Sequence, residues 1–206
     1  MHRHLASPGI VEQIPWLSTW IFWVDERMVG AHLKDSNFGN ARSDFLDLVP
    51  IPDDHIFPMP YWMTPDNGAV SYAKTLQAFF HRCKQGAPVF DLIFLGLGTD
   101  GHTASLFPQT DPSVNTRQWV RAVKGGQPDV YRLTLNYGII NQARHVCFLV
   151  SGASKAKVVK SVLENTGGNL PAQRIHPQSG QTTWICDQPA ASLLDRVPSM
   201  QQPTQD

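Results

Sequence analysis

Apolar positions along the chain fall into short runs separated by stretches of helical period, and the two kinds of segment alternate from one end to the other. The run STWIFWV (18–24) is aromatic and β-branched and predicts a strand leading directly into Asp25-Glu26-Arg27. Charges are therefore expected at a strand's C-terminal end. Phe38, Phe45, Leu46 and Val49 then recur at helical spacing, with Asp35 or Ser36 as the N-cap and Pro50 and Pro52 as the stop. A second amphipathic helix is predicted between Asp66 and Cys83, where Ala69, Tyr72, Ala73, Leu76, Phe79, Phe80 and Cys83 form one apolar face. FDLIFLGL (90–97) is almost continuously apolar after Asp91, the pattern of a strand covered by helices on both faces. WVRAV, VYRLTLN and HVCFLVS read as further strands. SKAKVVKSVLE (154–164) reads as a helix with Val158, Val159, Val162 and Leu163 inward, and TTWICD (182–187) as a last strand before the short helix QPAASLLD.

Strands alternating with helices imply an α/β domain built in layers on a largely parallel sheet. A length of 206 residues fits one sizeable domain, expected over residues 1–195, with the polar, proline-containing residues 196–206 as a disordered tail. No internal repeat is present. Lys and Arg number 17 and Asp and Glu also 17, so no global basic field exists to hold nucleic acid or an anionic membrane. An anionic ligand would need a local cluster. No apolar run approaches the roughly 20 residues that span a bilayer, and MHRHLASPGIVEQIPW has no signal-peptide apolar region. A soluble cytoplasmic protein is expected. Cys83, Cys147 and Cys186 stand far apart with no C-x-x-C pair and read as reduced thiols without chemistry. His2 and His4 lie in a terminus expected to be frayed and have no third ligand near them, so neither a metal nor a cofactor is expected.

The segment Gly96-Leu97-Gly98-Thr99-Asp100-Gly101 has the spacing G-x-G-x-x-G. In a dinucleotide-binding unit those glycines open a long helix, and an acidic residue about 20 positions later takes the ribose hydroxyls. Here Pro108 follows the third glycine too soon for a long helix, and the region near 121 reads RAVKGGQ, without an acid. What remains is an apolar strand ending in a glycine-rich turn that presents Asp100 and His102. In open α/β sheets, ligands sit outside the carboxyl ends of the strands.

FLGLGTDGHTASLFP in full resembles the signature of the 6-phosphogluconolactonases. The order of IFWVDERMV (21–29), DSN (35–37), YRLTLNYGIINQAR (131–144), LVSGASKA (149–156), PAQRIHP (171–177) and TTWICD (182–187) agrees, so the resemblance covers residues 14–195. It implies the three-layer α/β/α fold shared with the glucosamine-6-phosphate deaminases. It also implies a small-molecule sugar-phosphate lactone as the partner, no cofactor, and hydrolysis of 6-phospho-D-glucono-1,5-lactone to 6-phosphogluconate in the pentose phosphate pathway. It sets no oligomeric state.

A lactone is an ester, so its hydrolysis needs a base to activate water and a donor for the developing oxyanion. Histidine suits the first task near neutral pH, and the resemblance gives it to His102, with Asp100 orienting the imidazole or lining the site. Asp25 is expected to line the site, the other reading being an ion pair with Arg27 or another cation. Arg27 can polarise the carbonyl or hold substrate oxygens through its planar fork. The resemblance assigns the phosphate to Arg132 and to Lys155, in the first turn of its helix, and counts Gly98 and Gly101 with the substrate-binding positions.

The deaminase motif resembles D-G-H-x-A-x-N-E-P, in which a glutamate partners the histidine. Phe107 stands at that glutamate's place in this chain, which disfavours aldose-ketose chemistry. Relatives also carry, ahead of the D-E-R strand, a loop resembling S-G-G-S-T-P that binds the phosphate, and no such loop lies between Met1 and Asp25. The expectation is an N-terminally incomplete domain with exposed strand edges and low stability. It would be either an active hydrolase whose start lies upstream or a non-catalytic relative that binds sugar phosphates weakly.

Overall fold

The computed structural model describes residues 2–82, 87–109, 118–166 and 168–195. Cys83 and the tail at 196–206 lie outside them. The strands are β1 (Ile21–Phe22), β2 (Asp25–Arg27), β3 (Ile56–Phe57), β4 (Ile93–Leu95), β5 (Val120–Gly125), β6 (Val130–Leu135), β7 (His145–Val150) and β8 (Gln181–Cys186). The α-helices are α1 (Asn37–Asp44), α2 (Pro65–Arg82), α3 (Tyr137–Ile140), α4 (Ala156–Leu163) and α5 (Gln188–Ala191). The chain forms two compact units, Met1–Val89 with Ser113–Ile139, and Phe90–Pro112 with Ile140–Asp206.

In the first unit β1 pairs in parallel with β3, and β2, β6 and β5 form an antiparallel sheet in that order. The predicted strand at 18–24 is thus shorter than its apolar run. It stops at Phe22, and Asp25-Glu26-Arg27 is a strand of another sheet rather than the C-terminal end of the first. Ser36, not Asp35, caps α1, its hydroxyl accepting from the Gly39 N–H at 3.0 Å. The helix ends earlier than its apolar spacing predicts, because Phe45 leaves the helical region (φ −155°), and Leu46–Leu48 continues as a 3-10 turn that still buries Leu46. The second helix forms as expected and buries Ala69, Tyr72, Leu76 and Phe80. Phe22 stacks on Phe57 with ring centroids 4.6 Å apart, and Phe79 meets both edge-on. The buried Tyr72 hydroxyl accepts from the Trp23 N–H at 2.9 Å and faces the Phe57 carbonyl at 3.1 Å, tying α2 to the chain just past β1 and to β3. The N-terminus is a 3-10 turn, His2–Ala6, held by Arg3 on Asp44 at 2.8 Å, rather than frayed.

In the second unit β4, β7 and β8 are parallel, in that order. Helix α4 buries Val158, Val159 and Val162, while Leu163 is 37% exposed instead of inward. Phe148 and Trp184, opposite one another on β7 and β8, stack at 4.0 Å. The strand expected to be covered on both faces is an edge strand with one open face: Ile93 and Leu95 are buried, whereas Phe94 is 47% exposed. Continuous hydrophobicity does not distinguish the two cases, since it records composition and not what lies against each face. No helix among the described residues is long and apolar enough to cross a membrane.

Candidate active site

In the second unit the chain leaves β4 through Gly96-Leu97-Gly98 and turns. The Gly101 N–H donates to the Gly98 carbonyl at 3.0 Å, and the Gly98 N–H to the His102 carbonyl at 2.8 Å, closing the corner. Gly101 has φ +84°, a conformation that only glycine adopts readily, and a Cβ there would press on Leu170. A Cβ on Gly98 would overlap the His102 imidazole and the Asp100 carboxylate. Of these two glycines, counted from the resemblance as substrate-binding, Gly98 makes room for the Asp100 and His102 side chains and Gly101 for Leu170.

The turn brings Asp100 and His102 together. His102 Nδ1 lies 2.6 Å from Asp100 Oδ1, which also accepts the His102 N–H at 3.2 Å. Burial raises the Asp100 pKa, but the bonds from His102 outweigh it and hold the carboxyl below the usual carboxylate range. An Nδ1–H donated to the carboxylate leaves the Nε2 lone pair as the proton acceptor. The imidazole packs against the buried Phe107 ring at 4.9 Å between centroids, an apolar neighbour that exchanges no proton. Lys155 is the N-cap residue of α4, one place before the helix rather than in its first turn, and its Nζ donates to the Leu97 carbonyl at 2.6 Å. The loop before it is anchored by Asp187, whose two oxygens lie 3.0 Å from the Gly152 N–H while the same side chain caps α5.

In the first unit strand alternation sorts Asp25-Glu26-Arg27 onto two faces. Asp25 lies opposite Thr134 and Arg27 opposite Arg132, so these four share one face of the sheet. Arg27 Nη1 donates to the Asp35 carbonyl at 2.9 Å and to Asn37 Oδ1 at 2.8 Å. Asn37 Nδ2 donates in turn to the Asp25 carbonyl at 2.9 Å and to Asp25 Oδ1 at 3.2 Å. One amide therefore bridges the acid and the guanidinium. Arg132 is buried, with Nε on the Gly125 carbonyl at 2.8 Å and Nη2 facing the Gln127 and Pro128 carbonyls at 3.4 and 3.2 Å. Burial and then the Arg27 charge lower its pKa.

Glu26 points the other way and is fully buried. Its carboxylate accepts the N–H groups of Arg27, Asn37 and Phe38 at 2.8, 2.8 and 2.7 Å, and the Ser36 hydroxyl lies 3.3 Å from it. It thus occupies the N-terminus of α1, where unpaired N–H groups and the helix dipole favour an anion. Burial pushes its carboxyl above the usual carboxylate range against those backbone bonds, and Asp25 adds to the rise.

Sequence reasoning gave no role to Glu26 or Asn37. The signal for Glu26 was the alternation itself, since one charge of three on a strand must face the opposite side. For Asn37 it was the quoted DSN, whose asparagine begins a helix. Within the first unit an open cavity of about 410 Å³, lined by Met28, Tyr61, Met63, Lys124, Asp129 and Tyr131 among others, contains none of the predicted residues.

Residues 1–184 match the family profile described as glucosamine-6-phosphate isomerases/6-phosphogluconolactonase. A 6-phosphogluconolactonase of Synechocystis sp. is 43% identical over 187 residues, covering 89% of this chain and 76% of that protein. A probable chloroplastic 6-phosphogluconolactonase 4 of Oryza sativa subsp. indica is 34% identical over 93% of this chain, which spans 62% of its length. The solved 6-phosphogluconolactonase of Trypanosoma brucei superposes with a TM-score of 0.80 at 30% identity, over 93% of this chain and 80% of that one. The fold class is theirs, α/β of the three-layer α/β/α kind with a largely parallel sheet, and three of the five strand pairings among the described residues are parallel.

Proposed function

The chain belongs to the glucosamine-6-phosphate isomerase/6-phosphogluconolactonase family, with the sequence of a 6-phosphogluconolactonase-type hydrolase. On that premise we propose that it opens 6-phospho-D-glucono-1,5-lactone to 6-phospho-D-gluconate in the cytoplasm, with His102 as general base. The observation that carries this reading is the Asp100–His102 pair at 2.6 Å on its glycine corner, flanked by the apolar Phe107 ring.

His102 Nε2 takes a proton from water as the oxygen attacks the lactone carbonyl. The tetrahedral intermediate then collapses, breaking the bond to the ring oxygen, which takes the proton back from the imidazolium and leaves as the C5 hydroxyl. Asp100 keeps the ring in the competent tautomer and stabilises the imidazolium. Arg27 takes the oxygen on which charge develops, Asp25 lines the reacting end of the substrate, and Arg132 and Lys155 hold the phosphate. Phe107 supports hydrolysis over isomerisation, since a second exchangeable proton is not needed to open an ester.

Purified protein is assayed for loss of the lactone against its spontaneous hydrolysis, with calorimetric binding of 6-phosphogluconate in parallel. Hydrolysis well above background is expected. Binding with no acceleration would leave a non-catalytic sugar-phosphate binder, and the absence of both would overturn the proposal.

A further inference from the structure

The sheet face that carries Asp25 and Arg27 carries a third arginine. Asp25, Thr134 and Arg121 oppose one another in a single row across β2, β6 and β5, and Arg27, Arg132 and Val123 form the next row. Directly opposed residues in an antiparallel ladder, and those two positions along, project from the same face. Arg121 therefore shares its face with both of the arginines considered above, two strands away from Asp25.

The state of its guanidinium is the second observation. Among the described residues, two side-chain polar atoms are buried with no hydrogen-bond partner, Arg27 Nε and Arg121 Nη1. Both are guanidinium nitrogens, and both belong to residues of this one face. Arginine carries five donors and no acceptor and does not lose its charge, so such an atom is satisfied only by an incoming acceptor. Neither carboxylate of the strand triplet satisfies it: Glu26 lies on the opposite face and is saturated by backbone donors, and Asp25, although in the row of Arg121, leaves both nitrogens without a bond. An oxyanion on the arginine face would meet two charged donors already stripped of water, the setting in which charge-assisted bonds are strongest.

We propose that Arg121 is an anion-binding residue which, with Arg27, receives an oxyanion of the bound sugar-phosphate acid, either the phosphoryl group or the carboxylate that ring opening creates. The proposal rests on the function proposed above and adds to it a contact that the sequence motifs did not single out.

The test uses the R121M variant, which keeps the bulk and removes the donors, with R121K keeping the charge without the fork. R144M is the control, since Arg144 is an exposed partner of Asp91. Calorimetry with 6-phosphogluconate is expected to give a Kd raised about tenfold or more in R121M, less in R121K and unchanged in R144M. Without ligand, R121M unfolds at the same temperature as the wild type or higher, because it no longer buries an unmatched donor. Inorganic phosphate and gluconate as separate probes assign the contact: weakened phosphate binding marks the phosphoryl end, and weakened gluconate binding the carboxylate end. An unchanged Kd in both R121M and R121K overturns the proposal. Should the wild type neither bind 6-phosphogluconate nor hydrolyse the lactone, the parent reading fails. Inorganic phosphate and gluconate then decide on Arg121, with equal affinity for both in wild type and R121M overturning it.

Discussion

The arginine strand and the glycine corner each set an acid beside a nitrogenous partner, yet they hold them by opposite means. Around β2 the geometry is imposed from a distance in sequence: Glu26 collects N–H groups from Asn37 and Phe38, and Asn37 ties Asp25 to Arg27. At the corner, Asp100 and His102 are two residues apart, bonded to each other, with side chains 47% and 32% exposed. The first arrangement depends on a buried charge being matched, so damage to it falls on the fold. The second depends on a local turn, so damage to it falls on chemistry.

Replacing Glu26 with Ala gives the largest expected change. Three backbone donors lose a buried acceptor at once, and chemical denaturation should show a loss of about 3–5 kcal/mol, the range for breaking buried charged partnerships. A loss under about 1 kcal/mol would mean that water replaces the carboxylate and that the strand is not locked as described. His102→Ala should leave the unfolding midpoint close to that of the wild type while turnover falls about 100-fold or more. Equal damage to stability and turnover would erase the contrast between the two regions.

Asn37→Ala probes the bridge between them in kind, since it touches geometry more than stability. It should lower kcat/KM about tenfold, as losses of orienting partners do, at a cost to folding of about 1 kcal/mol. Asn37→Asp should not restore activity, because a carboxylate cannot donate to Asp25. The smallest effect concerns acid. Asp100 is held below the usual carboxylate range, so its ionised form stabilises the folded state. That contribution is complete above the ordinary carboxylate pKa of about 3.9 and is lost as pH falls through the lower folded value. Unfolding midpoints of wild type and Asp100→Asn should differ near neutrality and converge on acidification below about pH 4. A gap that stayed constant well below that range would mean that the carboxylate is not perturbed by the histidine.

Periodicity alone located α2, β5 to β7 and the helix bearing Val158 and Val159, because each buries a face wide enough to leave its mark on composition, and it located β8 from its β-branched and aromatic residues although none of them is buried. It placed the end of β1 too late and read β4 as covered on both faces, since an aromatic run looks alike whether a neighbour covers it or not. Of the candidate site, Asp100, His102 and Phe107 were legible within one motif, and Asp25, Arg27, Arg132 and Lys155 through the resemblance of other segments. Glu26 and Arg121 escaped because their significance comes from which face of a strand they occupy and from what lies across the ladder. That depends on register, which a single sequence does not display.

The three glycines of the corner differ in what a substitution would do. Nothing lies within 4 Å of a Cβ built on Gly96, whereas Gly98 would collide with the imidazole and Gly101 is bound to a positive φ beside Leu170. A saturation library should therefore tolerate many amino acids at the first position and almost none at the other two. The regular spacing that mimics a nucleotide fingerprint is, in this chain, two obligatory glycines and one replaceable one, a coincidence of letters that selection has no reason to preserve.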